Sequence, residues 1–197
     1  MRLTREESRE KTREKLLESA CHLVAARGYD GTSIADISEA AGFSKGAFFS
    51  NFESKDAILL EVLRRFKADE IAMLEATLAR SVDEPTAAAA AGVYFERIKQ
   101  QSDWIRLDIE LQLHAARSAS FAAEYVPFQA EVTRAIGTLA LGLFAKSGSR
   151  PTLDPTDIGA MFIALIHGLV LHQHPDPARI LQWVTQTLVD GLAAQSK

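Results

Sequence analysis

The sequence predicts an all-α protein of about nine helices. Apolar residues recur at helical spacing with no sustained two-residue alternation. Glycine and proline gather at a few breaks: Gly28 to Gly31, Gly42, Pro85, Gly148 to Pro155 and Pro175 to Pro177. Polar capping residues stand directly before several of the apolar runs.

The first helix is expected over about residues 7–27, burying Leu16, Leu17, Ala20, Cys21, Leu23 and Val24, with Gly28 in the left-handed position that ends it. Thr32 or Ser33 caps a second helix whose Ile34, Ile37 and Ala41 fall on one face, and Gly42 breaks it after about two turns. Ser44 caps a third, short helix with Phe43, Phe48 and Phe52 as its apolar side. Ser54 opens a long fourth helix that carries Ile58, Val62, Phe66 and Leu74 and extends toward Ser81. Pro85 suits the first turn of a fifth, containing Val93, Tyr94, Phe95 and Ile98. Helices over residues 104–116 and 120–146 follow, then a loop at 147–151. Asp154-Pro155 and Asp176-Pro177 each set an N-cap acid before a proline at the first helical position and open the last two helices.

The 22 Lys+Arg against 26 Asp+Glu give a net charge of −4, which as a total disfavours a nucleic-acid partner. The charge is unevenly placed. Residues 1–67 hold 12 bases and 11 acids, net +1, and the remaining residues hold 10 and 15, net −5. Six bases fall in the first fifteen residues: Arg2, Arg5, Arg9, Lys11, Arg13 and Lys15, interleaved with Glu6, Glu7, Glu10 and Glu14. The lone Cys21 allows no internal disulfide and points to a reducing compartment. No apolar segment follows Met1 and none approaches membrane-spanning length, so the expected location is cytoplasmic, with no membrane partner.

The stretch from Gly31 to Phe52 joins two short helices through a glycine turn, with small Ala41 near their crossing; this is the helix-turn-helix arrangement. An ordinary helical hairpin has the same outline, but it would place large apolar side chains at the start of its second helix. Here that start is Ser44, Lys45, Gly46 and Ala47, small or hydrogen-bonding and suited to a DNA major groove.

These residues carry a resemblance. Gly28-Tyr29, Thr32-Ser33, Ile37-Ser38, Ala41-Gly42-Phe43-Ser44, Gly46, Phe48-Phe49, Phe52 and Ser54-Lys55-Asp56 resemble the DNA-binding domain of the TetR family of bacterial transcriptional regulators. The resemblance covers about a third of the chain, roughly residues 10–70. It implies a DNA-binding domain over residues 8–68 and an effector-binding and dimerisation domain over 69–197. It implies that Ser44 and Lys45 reach base edges, that Gly46 and Ala47 let the backbone approach closely, and that Thr32, Ser33, Ser50, Asn51 and Lys55 hold phosphates. The family usually has tyrosine where this chain has Phe49, so the phosphate bond of that hydroxyl is missing and Phe49 is expected to pack.

Residues beyond the motif supply candidates for an input. Phe95, Trp104, Leu107, Asp108, Leu111, His114, Phe121, Tyr125, Phe128, Phe162 and His167 either form plain core or line a pocket, which would then suit a lipophilic or aromatic small molecule. Arg106 and Glu110, four apart, are expected as a solvated pair. Toward the C-terminus, Ile158, Phe162, Leu165 and Leu169 make one stripe and Ala160, Ala164 and Gly168 a second, small-residue one. Ile180, Val184, Leu188 and Leu192 repeat the spacing in the last helix. As in the family, a homodimeric four-helix bundle would bury them and set two recognition helices about 34 Å apart, matching a palindromic operator in double-stranded DNA.

His167, His172 and His174 lack a cysteine or carboxylate at ligand spacing, and no nucleophilic triad or phosphate loop stands out, so no metal, cofactor or enzyme chemistry is expected. The expected function is a DNA-binding transcriptional regulator, a homodimeric repressor released by a small molecule. The alternative is a helical module for small molecules or proteins without DNA binding, for which Phe49 is the only hint.

Overall fold

The structure, a computed structural model, describes residues 4–80, 92, 94, 102–146 and 153–195. The protein is all-α: eight helices and no strand occur among the described residues. They are α1 (Arg5–Arg27), α2 (Ile34–Ala40), α3 (Lys45–Phe49), α4 (Lys55–Arg80), α5 (Ser102–Ala115), α6 (Ala119–Lys146), α7 (Pro155–Leu171) and α8 (Pro177–Gln195). The expected helix after Pro85, with Val93, Phe95 and Ile98, and the 147–151 loop lie outside the described residues, although Gly92 and Tyr94 are helical.

Local chemistry sets the helix ends. α1 starts two residues before the expected point because Thr4 caps it reciprocally: Thr4 Oγ1 accepts the Glu7 N–H at 3.1 Å and the Glu7 carboxylate accepts the Thr4 N–H at 2.7 Å. Gly28, at φ 78°, closes α1 in a conformation that other residues adopt only with strain. Ser54 Oγ accepts the Ala57 N–H at the start of α4. Asp154 accepts the Thr156 N–H before Pro155, and Asp176 accepts the Arg179 N–H before α8.

The chain divides into two compact units, one formed by Met1–Phe66 with Arg106–Tyr125, the other by Lys67–Ile105 with Val126–Lys197. The first unit is therefore discontinuous in sequence, with Arg106–Tyr125 joined to the N-terminal residues. The first unit buries Leu16, Ala20 and Val24 of α1 with Ile37, Phe48, Ile58, Leu107 and Leu111. In the second, Leu74 packs with Val132 and Ile136, and Tyr94, Phe128, Leu139 and Ile163 lie against them. There α6 and α7 meet backbone to backbone: a Cβ on Gly137 would lie 1.7 Å from the Pro155 carbonyl oxygen, and one on Gly159 1.9 Å from that of Thr133. Among the described residues, no helix is long and apolar enough to cross a membrane.

Candidate nucleic-acid interface

The turn between α2 and α3 is built from caps and one glycine. Ser33 Oγ accepts the Asp36 N–H at 3.2 Å, and the Asp36 carboxylate accepts the Ser33 N–H at 2.8 Å. These bonds to its charged form hold the Asp36 carboxyl below its ordinary range. Gly42 sits at φ 79°, with open space where a Cβ would be, so backbone conformation and not crowding demands glycine there. Ser44 Oγ accepts the Ala47 N–H at 3.3 Å and starts α3.

Five residues of helix cannot hold themselves in place. Fully buried Phe48 anchors α3 from one side. At its C-terminal end, Arg9 donates to the Ser50 carbonyl at 3.3 Å and Arg13 to that of Asn51 at 2.8 Å. Arg13 also pairs with Glu61 and lies over the Phe52 ring, 4.2 Å from its centroid. Two bases of the N-terminal cluster thus brace the short helix. Their spacing of four residues on α1, facing orphan carbonyls, was the available signal.

The expected DNA contacts separate into two groups. Ser33, Ser44, Lys45, Gly46 and Ser50 are exposed, and Ala47 is half-buried. Thr32, in contrast, is buried: its hydroxyl lies within reach of the Leu23 and Gly28 carbonyls, at 3.2 and 3.1 Å, and its N–H donates to Tyr29. Half-buried Lys55 donates to the carbonyls of Tyr29 at 2.8 Å and Thr32 at 3.0 Å, with Nζ 3.6 Å from the Tyr29 ring centroid. Burial pulls its pKa down, against the opposing charges of Asp30 and Asp56. Asn51 donates to the Ala47 carbonyl. The donors of Thr32 and Lys55, both expected at phosphates, here close the 29–32 turn. Phe49, expected to pack, is instead 57% exposed.

A second cluster, not foreseen as a unit, ties α5 to that turn. Glu110 Oε2 accepts the Tyr29 N–H at 3.0 Å, in place of the expected solvated pair with Arg106. His114 stacks on Tyr29, ring centroids 3.6 Å apart and 17° between planes, and its Nε2 lies 3.4 Å from Asp56 Oδ1. The Tyr29 hydroxyl donates to Asp56. Burial foremost, then that bond and the charges of Asp56 and Asp30, raise the phenol's pKa. The rings continue from His114 to Phe121 at 4.7 Å and from Phe121 to Tyr125 at 5.6 Å, and the Tyr125 hydroxyl donates to fully buried Asp108 at 3.1 Å.

The pocket candidates are thereby divided. Leu107, Asp108, Leu111, His114, Phe121 and Tyr125 belong to the first unit; Trp104, Phe128, Phe162 and His167 belong to the second, and Phe95 lies outside the described residues. The second unit also holds a buried ion pair, Lys67 to Glu70 at 3.0 Å, with Glu70 accepting from Tyr94. On α7 the buried stripe is Ile158, Phe162, Ile166 and Leu169, so Leu165 is only half-buried. Ala160 and Ala164 are exposed, and a Cβ on Gly168 would meet open space. Ile180, Val184 and Leu188 are half-buried, beside exposed Trp183.

A capped helix, a glycine turn and a braced helix with one face open define a helix-turn-helix domain. Residues 16–62 match the family model described as bacterial regulatory proteins, tetR family. The chain is 47% identical over 57 residues to the uncharacterized HTH-type transcriptional regulator YwcC of Bacillus subtilis, covering 29% of this chain and 26% of that protein. It is 24% identical over 186 residues to YdgC, another uncharacterized HTH-type transcriptional regulator of B. subtilis, covering 92% of each. The solved fatty acid degradation regulator FadR of Bacillus halodurans shares its fold, with a TM-score of 0.73 at 15% identity over 92% of this chain and 96% of that one. The likeness to this family's DNA-binding domain is thus carried by residues 16–62. The chain spans between 26% and 36% of the length of four curated relatives that it matches.

Proposed function

We propose that the protein is a sequence-specific DNA-binding transcriptional regulator, a homodimeric repressor released from a palindromic operator by a lipophilic or aromatic small molecule. The observation that carries this is the open face of α3: Ser44, Lys45, Gly46 and Ser50 are exposed on a helix held from behind by Phe48, Arg9 and Arg13. Lys45 and Ser44 supply donors for base edges; at Gly46 a Cβ would meet only Ser44 Oγ, at 3.6 Å, so a DNA backbone can come close. Ser33 and Ser50 are the remaining candidates for phosphates. DNA binding is assigned to residues 8–68 completed by 106–125, and effector binding and pairing to the rest. The open stripe of Ala160, Ala164 and Gly168, with Trp183 on α8, supports pairing of two copies. The aromatic side chains Trp104, Phe128 and Phe162 support an apolar effector.

The test is a gel-shift titration of the full chain against DNA flanking its own gene across a range of salt. Binding that weakens steeply with salt and protects a two-fold symmetric site is expected. Equal affinity for random duplex, or a monomer by light scattering at micromolar concentration, would overturn the reading.

A further inference from the structure

Phe49 is an aromatic side chain without a polar atom, left 57% exposed on the open face of α3. Successive α-helical residues turn by about 100°, so Lys45 and Phe49, four apart, share a face, whereas Phe48 and Phe52 share the buried one. The Phe49 ring meets that of Phe48 edge-on, 5.5 Å between centroids and 81° between planes. Phe48 is fully buried, so this contact seats the exposed ring against a fixed support.

Leaving such a ring in water gives up the free energy of burying it. A protein segment could cover it, but the exposed residues at helical spacing or next to it, Lys45, Gly46 and Ser50, offer two donors and no apolar side chain, a rim suited to a polar, anionic groove. In the major groove one base carries an apolar group on its edge: thymine, through its C5-methyl. A phenyl ring cannot bond a phosphate or a base heteroatom, so the methyl is the partner its chemistry fits.

We infer that Phe49 determines operator specificity by contacting a thymine C5-methyl in each half-site, beside the base edge reached by Lys45. The inference rests on the proposed DNA-binding function.

The test starts by selecting a duplex from a random pool with the full chain, then replacing each thymine singly by deoxyuridine, which keeps every hydrogen-bonding group and removes only the methyl. At one thymine per half-site the wild-type protein should lose about fourfold in affinity, the value of one buried methyl group. Phe49→Ala and Phe49→Leu, both at an exposed position, should retain the wild-type circular dichroism spectrum. With Phe49→Ala the thymine and uracil duplexes should bind equally at that position, while Lys45→Ala leaves the thymine preference in place. Wild-type indifference to every replacement, or a preference that survives Phe49→Ala, overturns the inference while leaving DNA binding intact. If selection yields no preferred duplex at all, the DNA-binding reading itself fails.

Discussion

In the first unit the two shortest helices, seven residues in α2 and five in α3, are fixed by side chains bonded to backbone: Ser33, Ser44, Arg9, Arg13, Lys55 and Glu110. In the second unit the long helices α6, from Val126 onward, and α7 are set against each other where Gly137 and Gly159 bring backbone against backbone. Short helices bury too little apolar surface to define their own position, so polar bonds with strict geometry supply the definition. Long helices gain theirs from continuous packing, which tolerates no added volume. The unit that must present a precise face is therefore tied by many directional contacts, and the other is set by shape.

Substitutions that attack each device separate the two units. Gly159→Ala or Gly137→Ala should have the largest effect, about 3 kcal/mol of lost stability from overpacking. This corresponds to a fall in Tm of roughly 6–12 °C for a chain of this size. A loss below 1 kcal/mol in a thermal melt would remove the backbone contact from the comparison. Glu110→Ala comes next. Loss of a charge-assisted bond should cost about 2 kcal/mol and speed hydrogen exchange at the Tyr29 amide, with Glu110→Gln intermediate. Unchanged Tyr29 protection in both variants would show that the α5 contact does not hold the turn.

Ser33→Ala should cost about 1 kcal/mol through loss of the α2 cap. It also has a pH signature. The folded-state pKa of Asp36 lies below its unfolded value near 3.8, so its contribution is complete above that value and lost as pH falls through the folded pKa. Without Ser33, the Asp36 titration followed by NMR should move up toward the ordinary range. Gly168→Ala is the mildest. Its Cβ enters open space, and replacing glycine within a helix should raise monomer stability by about 0.5–1 kcal/mol. In sedimentation, the same variant should weaken the dimer, since the added methyl stands on the proposed pairing face.

The difference between the units also explains what was legible in the sequence. The caps at Ser33, Ser44, Ser54, Asp154 and Asp176 are local patterns, two or three residues long, and each lies where expected. The buried side of α1 followed from periodicity in the same way. The outward placement of Phe49 follows from helix geometry, since it lies a turn of about 100° away from Phe48, whereas the family resemblance implies packing there. What could not be read were the partners set by tertiary proximity. The family resemblance implies a phosphate role for Lys55, while the folded chain brings it to carbonyls 26 and 23 residues earlier. The small-residue stripe of α7 is plain in the sequence, but the glycine that admits another helix within the same chain is Gly159, one position to the side of that stripe.

The Tyr29 amide takes its acceptor from a residue 81 positions further along the chain. Modularity in this protein is thus not a matter of where to cut. A chimaera that joins residues 1–68 to the body of another protein would leave Glu110 and His114 behind, and with them the support of the turn that leads into α2. The transferable part is discontinuous, made of the N-terminal helices and residues 106–125, and an exchange of this unit has to carry both pieces or rebuild the second in the new host.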